Sequence, residues 1–245
     1  MCGRFVITSP PAAIRQVFGY AEQPNFPPRF NIAPTQPVPV VILDQGARHF
    51  RLMRWGLVPA WVKDPRQVGL LFNARSEGVL DKASFKTAMR HRRALVPASG
   101  FYEWQQSGGA RGQPYWVRPR HGRVIALAGL VETYAEPGGS EMDTGAILTT
   151  RASASIAHIH DRMPVVIEER DFARWLDCRT QEPRDVLDLL KPAKPDFFEA
   201  VPVSDLVNKV ANTGPEIQER GIVSPQAERV RRQKPGADED QMTLF

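Results

Sequence analysis

Short apolar stretches separated by turn residues run along this chain, and few are long enough for more than a few helical turns. Phe5-Val6-Ile7 predicts a short strand. Ser9-Pro10 then marks a helix start, with Ile14, Val17 and Phe18 at helical spacing behind it. Residues 29–39 are broken by prolines and predict a loop. An apolar strand over 38–43 follows, and Asp44-Gln45-Gly46 turns it into a second strand over 49–53, a hairpin. A short helix is expected over 84–91. Residues 94–104 read as one strand-like run ending at the turn signal Gln105-Gln106-Ser107-Gly108-Gly109. Further strands are expected over 115–117, 124–133, 146–150 and 163–167, with a turn at His121-Gly122 and a polar, glycine-rich loop over 136–143. Helices are expected over 168–177 and 184–190. Strands that come in hairpin-connected runs predict an α+β fold: an antiparallel β-rich, barrel-like core flanked by short helices, in one domain over 1–223. Beyond Ser224 the apolar periodicity stops, and residues 224–245 read as a disordered tail.

Composition narrows the function classes. No apolar run approaches the roughly 20 residues of a spanning helix, and no charged leader with an apolar stretch opens the chain, so a cytoplasmic protein is expected. Two cysteines, Cys2 and Cys178, supply neither a disulfide framework nor the about four ligands of a zinc site. The formal charge is +5, and the basic residues are mostly arginine. Arginine suits phosphate forks and base stacking, so nucleic acid is a candidate partner. The 22 prolines favour many short elements over a helical bundle.

The most unusual feature is Cys2. Methionine is normally removed ahead of so small a residue, which leaves an α-amine and a thiol on adjacent carbons. An α-amine with a pKa of about 7.7–8.0 is substantially unprotonated near neutrality. Such a pair condenses with an aldehyde to an imine, and the thiol then closes a five-membered thiazolidine. Three other segments carry polar groups in apolar settings: Asn73-Ala74-Arg75-Ser76-Glu77, Gly100-Phe101-Tyr102-Glu103-Trp104 and His158-Ile159-His160-Asp161-Arg162-Met163-Pro164. Taken singly, Asn73 reads equally as a turn cap, Glu103 as the partner of a surface arginine and His160 as a satisfied buried imidazole. Cys178 reads as a core thiol.

Together with Met1-Cys2-Gly3-Arg4-Phe5, these segments resemble the SOS response-associated peptidase family, and a weaker block over 203–216 extends the likeness to about residue 217. Members of that family crosslink to abasic sites in single-stranded DNA. The resemblance implies a Schiff base from the Cys2 amine, ring closure by its thiol, Glu103 as proton shuttle, His160 as the acid that opens the sugar, and Asn73 as the group that orients Cys2. It implies no metal or organic cofactor. Arg4, Arg75 and Arg162 lie within two residues of these positions and are expected to clamp phosphates. Trp61 is the better candidate for a base contact, Trp55 is as suited to core packing, and Thr149 and Thr150 are candidates to line the pocket. Gln241, Met242, Leu244 and Phe245 resemble the short peptides that dock on the bacterial sliding clamp. A monomer is the default expectation, with no membrane partner. A cysteine peptidase or amidohydrolase using Cys2 as an N-terminal nucleophile is the main competing reading, and a non-catalytic single-strand-binding module is a second.

Overall fold

The computed structural model describes residues 2–105, 112–136 and 138–221. Met1, most of the turn expected at 105–109 and the tail bearing Gln241, Met242, Leu244 and Phe245 lie outside the described residues.

The chain enters through β1 (Phe5–Ile7) and α1 (Pro11–Phe18). Proline opens α1, and Gly19 closes it with a left-handed φ of 68°, its N–H bonded to the Arg15 carbonyl. Ile14 and Phe18 form the buried face. The expected loop over 29–39 instead contains β2 (Arg29–Ile32) and the start of β3 (Pro37–Asp44). Pro37 and Pro39 fall in β3, which meets its second neighbour only at Val41, so this part of the strand behaves as an edge and tolerates them. The hairpin of β3 with β4 (Ala47–Trp55) forms as the sequence predicts, turning at Gln45-Gly46. Next come β5 (Asn73–Arg75) and α2 (Ala83–His91).

Residues 94–104 are two strands, β6 (Arg93–Ala98) and β7 (Gly100–Trp104), which belong to different sheets. The break falls at Ser99-Gly100, where Ser99 Oγ accepts the N–H groups of Thr8 and Ser9. A side chain at Gly100 would sit 2.6 Å from the Val117 carbonyl oxygen, so only glycine permits this approach. Then follow β8 (Pro114–Pro119), β9 (Ile125–Ala135) and β10 (Glu141–Arg151). The polar loop expected over 136–143 shrinks to a tight turn, because Glu141, Met142 and Asp143 pair with Ala135, Tyr134 and Thr133. The last strands are β11 (Arg162–Pro164), β12 (Val166–Ile167) and β13 (Phe198–Pro202). Of the two expected C-terminal helices, the first is a 3-10 turn running into the five-residue α3 (Phe172–Leu176), and the second, Pro183–Leu189, is 3-10 throughout.

Five strands close into a barrel: β10 pairs β4, β4 pairs β3, β3 pairs β6, β6 pairs β9, and β9 returns to β10. The pairings are antiparallel except that β10 runs parallel to β4 and β5. A second sheet, in the order β13-β8-β7-β1-β2, packs beside the barrel. Strand β9 is buried from Ile125 to Val131, as a strand covered on both faces must be. Buried Arg93 ties α2 to α3 by donating to the carbonyls of Met89, Trp175, Asp177 and Gln181, so its charge needs no carboxylate partner. Cys178 is half-buried instead of in the core, and its sulfur accepts the Arg93 N–H. It lines a cleft at the base of the barrel, near Asp143, whereas Thr149 lies at the other end of the same strand. No helix among the described residues is long and apolar enough to cross a membrane.

Candidate active site

The register of β10 assembles the site. Its last residues are flanked on one side by β5, with Ile147 opposite Asn73 and Thr149 opposite Arg75. On the other side lies β11, with Arg151 opposite Arg162. Asn73 and Arg75, more than 70 residues earlier in the chain, therefore meet β10 and Arg162 at one barrel end. Strand β1 pairs β7 through Phe5 and Phe101, which brings Cys2 and Glu103 to the same place. The four sequence motifs converge although nothing in their spacing along the chain required it.

Cys2 is fully buried. Its carbonyl accepts a 2.8 Å hydrogen bond from Asn73 Nδ2, and its thiol points toward the Arg4 carbonyl at 3.8 Å. Burial, reinforced by the nearby Glu103 carboxylate, pushes the thiol far above its ordinary pKa. The thiol is therefore protonated at neutral pH. Asn73 Oδ1 is also buried and has no hydrogen-bond partner among the described residues. Glu103 is buried too, and desolvation raises its carboxyl to about 7. It can thus both take and return a proton at neutral pH.

His160 lies on the segment that turns from β10 into β11. Its Nδ1 accepts the backbone N–H of Arg162 at 3.0 Å, which leaves the proton of the neutral ring on Nε2. The Asp161 carboxylate approaches the same nitrogen at 2.9 Å and favours the charged ring. Burial outweighs it, and the net shift of His160 is downward. Asp161 also bears on Glu103, so it links the two titrating groups. Asp161 carries no sequence signal beyond its place between His160 and Arg162.

The three arginines differ in their surroundings. Arg4 donates to Asn31 Oδ1 and the Val207 carbonyl and lies over the Trp104 ring, on a satellite cluster with Tyr102 and Val203. Asn31 in turn donates to the carbonyls of Lys209 and Asn212. Arg4 and Asn31 thereby fasten the segment over 207–212 to the strands next to Cys2, which accounts for the weaker motif block there. Arg75 is exposed. Arg162 forms a two-pronged pair with Glu77 and donates to the Thr149 carbonyl at 2.6 Å. Thr149 and Thr150 are buried. Trp55 is a core residue, fully buried, with its Nε1 donating to the Phe72 carbonyl. Trp61 is 63% exposed.

Residues 1–210 match the family described as SOS response associated peptidase (SRAP). The chain belongs to this family. A Bacillus subtilis protein named abasic site processing protein YoqW is 33% identical over 222 residues, covering 89% of this chain and 99% of that one. The Gallus gallus protein named abasic site processing protein HMCES is 32% identical over 260 residues, covering 88% of this chain and 76% of its own. A crystal structure of a Bacteroides thetaiotaomicron protein superposes with a TM-score of 0.80 at 20% identity over 90% of this chain and all of that one, and shows the same fold.

Proposed function

We propose that this SRAP protein processes abasic sites in single-stranded DNA by forming a covalent thiazolidine between Cys2 and the ring-opened sugar. The names of its relatives support abasic-site processing. The observation that carries the chemistry is the burial of Cys2 between Asn73, which holds its carbonyl, and Glu103, whose carboxyl is poised near neutrality.

Removal of Met1 frees the amine. His160 gives a proton to the ring oxygen and recovers one from the C1′ hydroxyl, which opens the ring and releases the C1′ aldehyde. The amine nitrogen attacks C1′ and forms a C–N bond, and Glu103 moves a proton from nitrogen to the former carbonyl oxygen. Loss of that oxygen as water gives the imine. The Cys2 sulfur then adds to the imine carbon, and its proton passes to nitrogen. One water leaves in all. A thiol held protonated suits this order, in which the amine acts first. It is less suited to acyl attack by a thiolate, as the peptidase reading requires.

Arg75 and Arg162 contact the phosphates on either side of the sugar, and Trp61 stacks on a neighbouring base. We propose further that residues 241–245 recruit the protein to the sliding clamp. Clamp capture by the full chain but not by a chain ending at Asp240 is the expected result.

The deciding experiment mixes the mature protein with a single-stranded oligonucleotide bearing one abasic site, without reductant, and resolves the products on a denaturing gel. A shifted band for wild type, lost in Cys2→Ala and in a form with an extra residue ahead of Cys2, is expected. No band from protein with a verified Cys2 terminus would overturn the reading.

A further inference from the structure

Resting on that reading, we infer that Glu77 is a selectivity gate: its carboxylate occupies the face of Arg162 that a DNA phosphate takes, so the empty site resists intact strands. Arg162 has five N–H donors. Nη1 and Nη2 meet the two Glu77 oxygens at 2.5 and 2.9 Å, and Nη2 also donates to the Thr149 carbonyl at 2.6 Å. The planar, paired geometry is the one a guanidinium offers a phosphate.

Burial shows which side the carboxylate lies on. The Arg162 side chain is only 11% exposed, whereas that of Glu77 is 48% exposed. Glu77 is therefore the solvent-side cover of a cation held in the wall of the site, and an anion arriving from solvent has to displace it or share its position. The Thr149 carbonyl remains behind to hold the guanidinium in place when it does. Arg162 Nε is buried and lacks a hydrogen-bond partner among the described residues, so the outward reach of the guanidinium is through its Nη atoms. The Arg162 fork keeps Glu77 ionised, with its pKa down to about 2, so the cover is in place throughout the working pH range.

The consequence is selectivity. A phosphate gains little by replacing one anion with another, so non-specific binding to intact single strands is weak. An abasic sugar seated beside Cys2 adds its own contacts and then its covalent bond, and these favour displacement. Glu77 thus trades raw affinity for discrimination.

The experiment measures binding of full-length mature protein to an intact single-stranded oligonucleotide by anisotropy between 50 and 300 mM KCl, as an order-of-magnitude salt range for phosphate contacts. Glu77→Gln is expected to bind several-fold tighter than wild type at low salt. Its log-affinity against log-salt slope should be steeper by about 0.7, the increment for one more phosphate contact on a single strand. The gain should vanish when Arg162→Gln is added. Weaker or equal binding by Glu77→Gln with an unchanged slope would overturn the gate and mark Glu77 as a structural brace. If Glu77→Gln does not fold, Glu77→Asp carries the same test, because it draws the carboxylate back by one methylene and must shift binding in the same direction. A wild type that binds no single strand and forms no crosslink would count against the proposed function. A wild type that crosslinks normally beside a Glu77→Gln with no gain would remove the gate alone.

Discussion

Asn73 grips Cys2 by its backbone carbonyl, at 2.8 Å, and not by its thiol. The contact fixes where the Cys2 α-carbon stands and leaves both amine and thiol free to react. Asn73→Ala removes one hydrogen bond, a stability loss of about 0.5–1.5 kcal/mol. The expected effect on crosslinking is larger, on the order of 100-fold in single-turnover rate, because a displacement of about 1 Å at the nucleophile has that cost. Thermal melting and gel-quenched kinetics on the same preparation separate the two. A rate loss no greater than the stability loss accounts for would remove the positioning role.

Glu103 gives a prediction with opposite signs for stability and activity. Its folded pKa of about 7 lies above the roughly 4.3 of an unfolded glutamate. Between those values the folded chain holds a proton that the unfolded chain has lost, so Glu103 lowers stability as pH rises through that window. Glu103→Gln is expected to melt higher than wild type at pH 8 and alike at pH 4. Its crosslinking should fall by roughly 10²–10⁴, the usual contribution of a positioned acid-base group. In wild type the rate should rise through pH 7 as the base form appears. A flat rate profile from pH 6 to 8, or a variant that melts lower at pH 8, contradicts the assignment.

Much of this was legible in the residues. The β3–β4 hairpin, α1 and the barrel-like class follow from apolar runs and turn signals, and the four motifs named the candidate residues. What the chain pattern hid is where strands change partners. Residues 94–104 look like one strand because apolar residues flank Ser99-Gly100 on both sides, yet that pair hands the chain from barrel to second sheet, and only the close approach of β8 shows why. Strand β2 itself has no proline and was masked by those around it, Pro27, Pro28 and Pro34. Arg4 and Arg162 look alike in sequence, but one fastens the segment over 207–212 and the other faces Glu77. Periodicity cannot see such pairings, because Glu77 and Arg162 are 85 residues apart.

That handover makes Gly100 a sensitive position. A methyl group there meets the Val117 carbonyl oxygen at 2.6 Å and Trp116 Nε1 at 2.8 Å. Gly100→Ala is expected to destabilise the fold by about 1–3 kcal/mol, the range for overpacking. It should also slow crosslinking by shifting β7, which carries Glu103. Chemical denaturation tests the first part; a variant as stable as wild type would mean that the strands part at little cost.

Trp61 should behave in the opposite way. At 63% exposed it contributes little to the core, so Trp61→Ala should melt within about 0.5 kcal/mol of wild type, as surface changes do. If it stacks on a base, affinity for single strands should fall by about 1–3 kcal/mol, roughly 5- to 150-fold. Trp61→Phe should restore much of it. Equal affinity for all three proteins would remove Trp61 from the interface.

His160 tests the ring-opening step by itself. The Arg162 N–H on Nδ1 presents Nε2–H to the substrate even in the neutral ring. Burial lowers the pKa below the ordinary 6.5. The folded chain then resists a proton that the unfolded chain accepts, so His160 lowers stability as pH falls through and below that value. His160→Gln should narrow the melting difference between pH 7 and pH 5. It should slow capture of a natural abasic sugar by about 10²-fold, the lower end for general acid catalysis. An oligonucleotide carrying an acyclic aldehyde has no ring to open, and against that substrate the variant should match wild type within a few-fold. Equal slowing on both substrates would place His160 in imine formation instead, and the role of ring-opening acid would have to be reassigned.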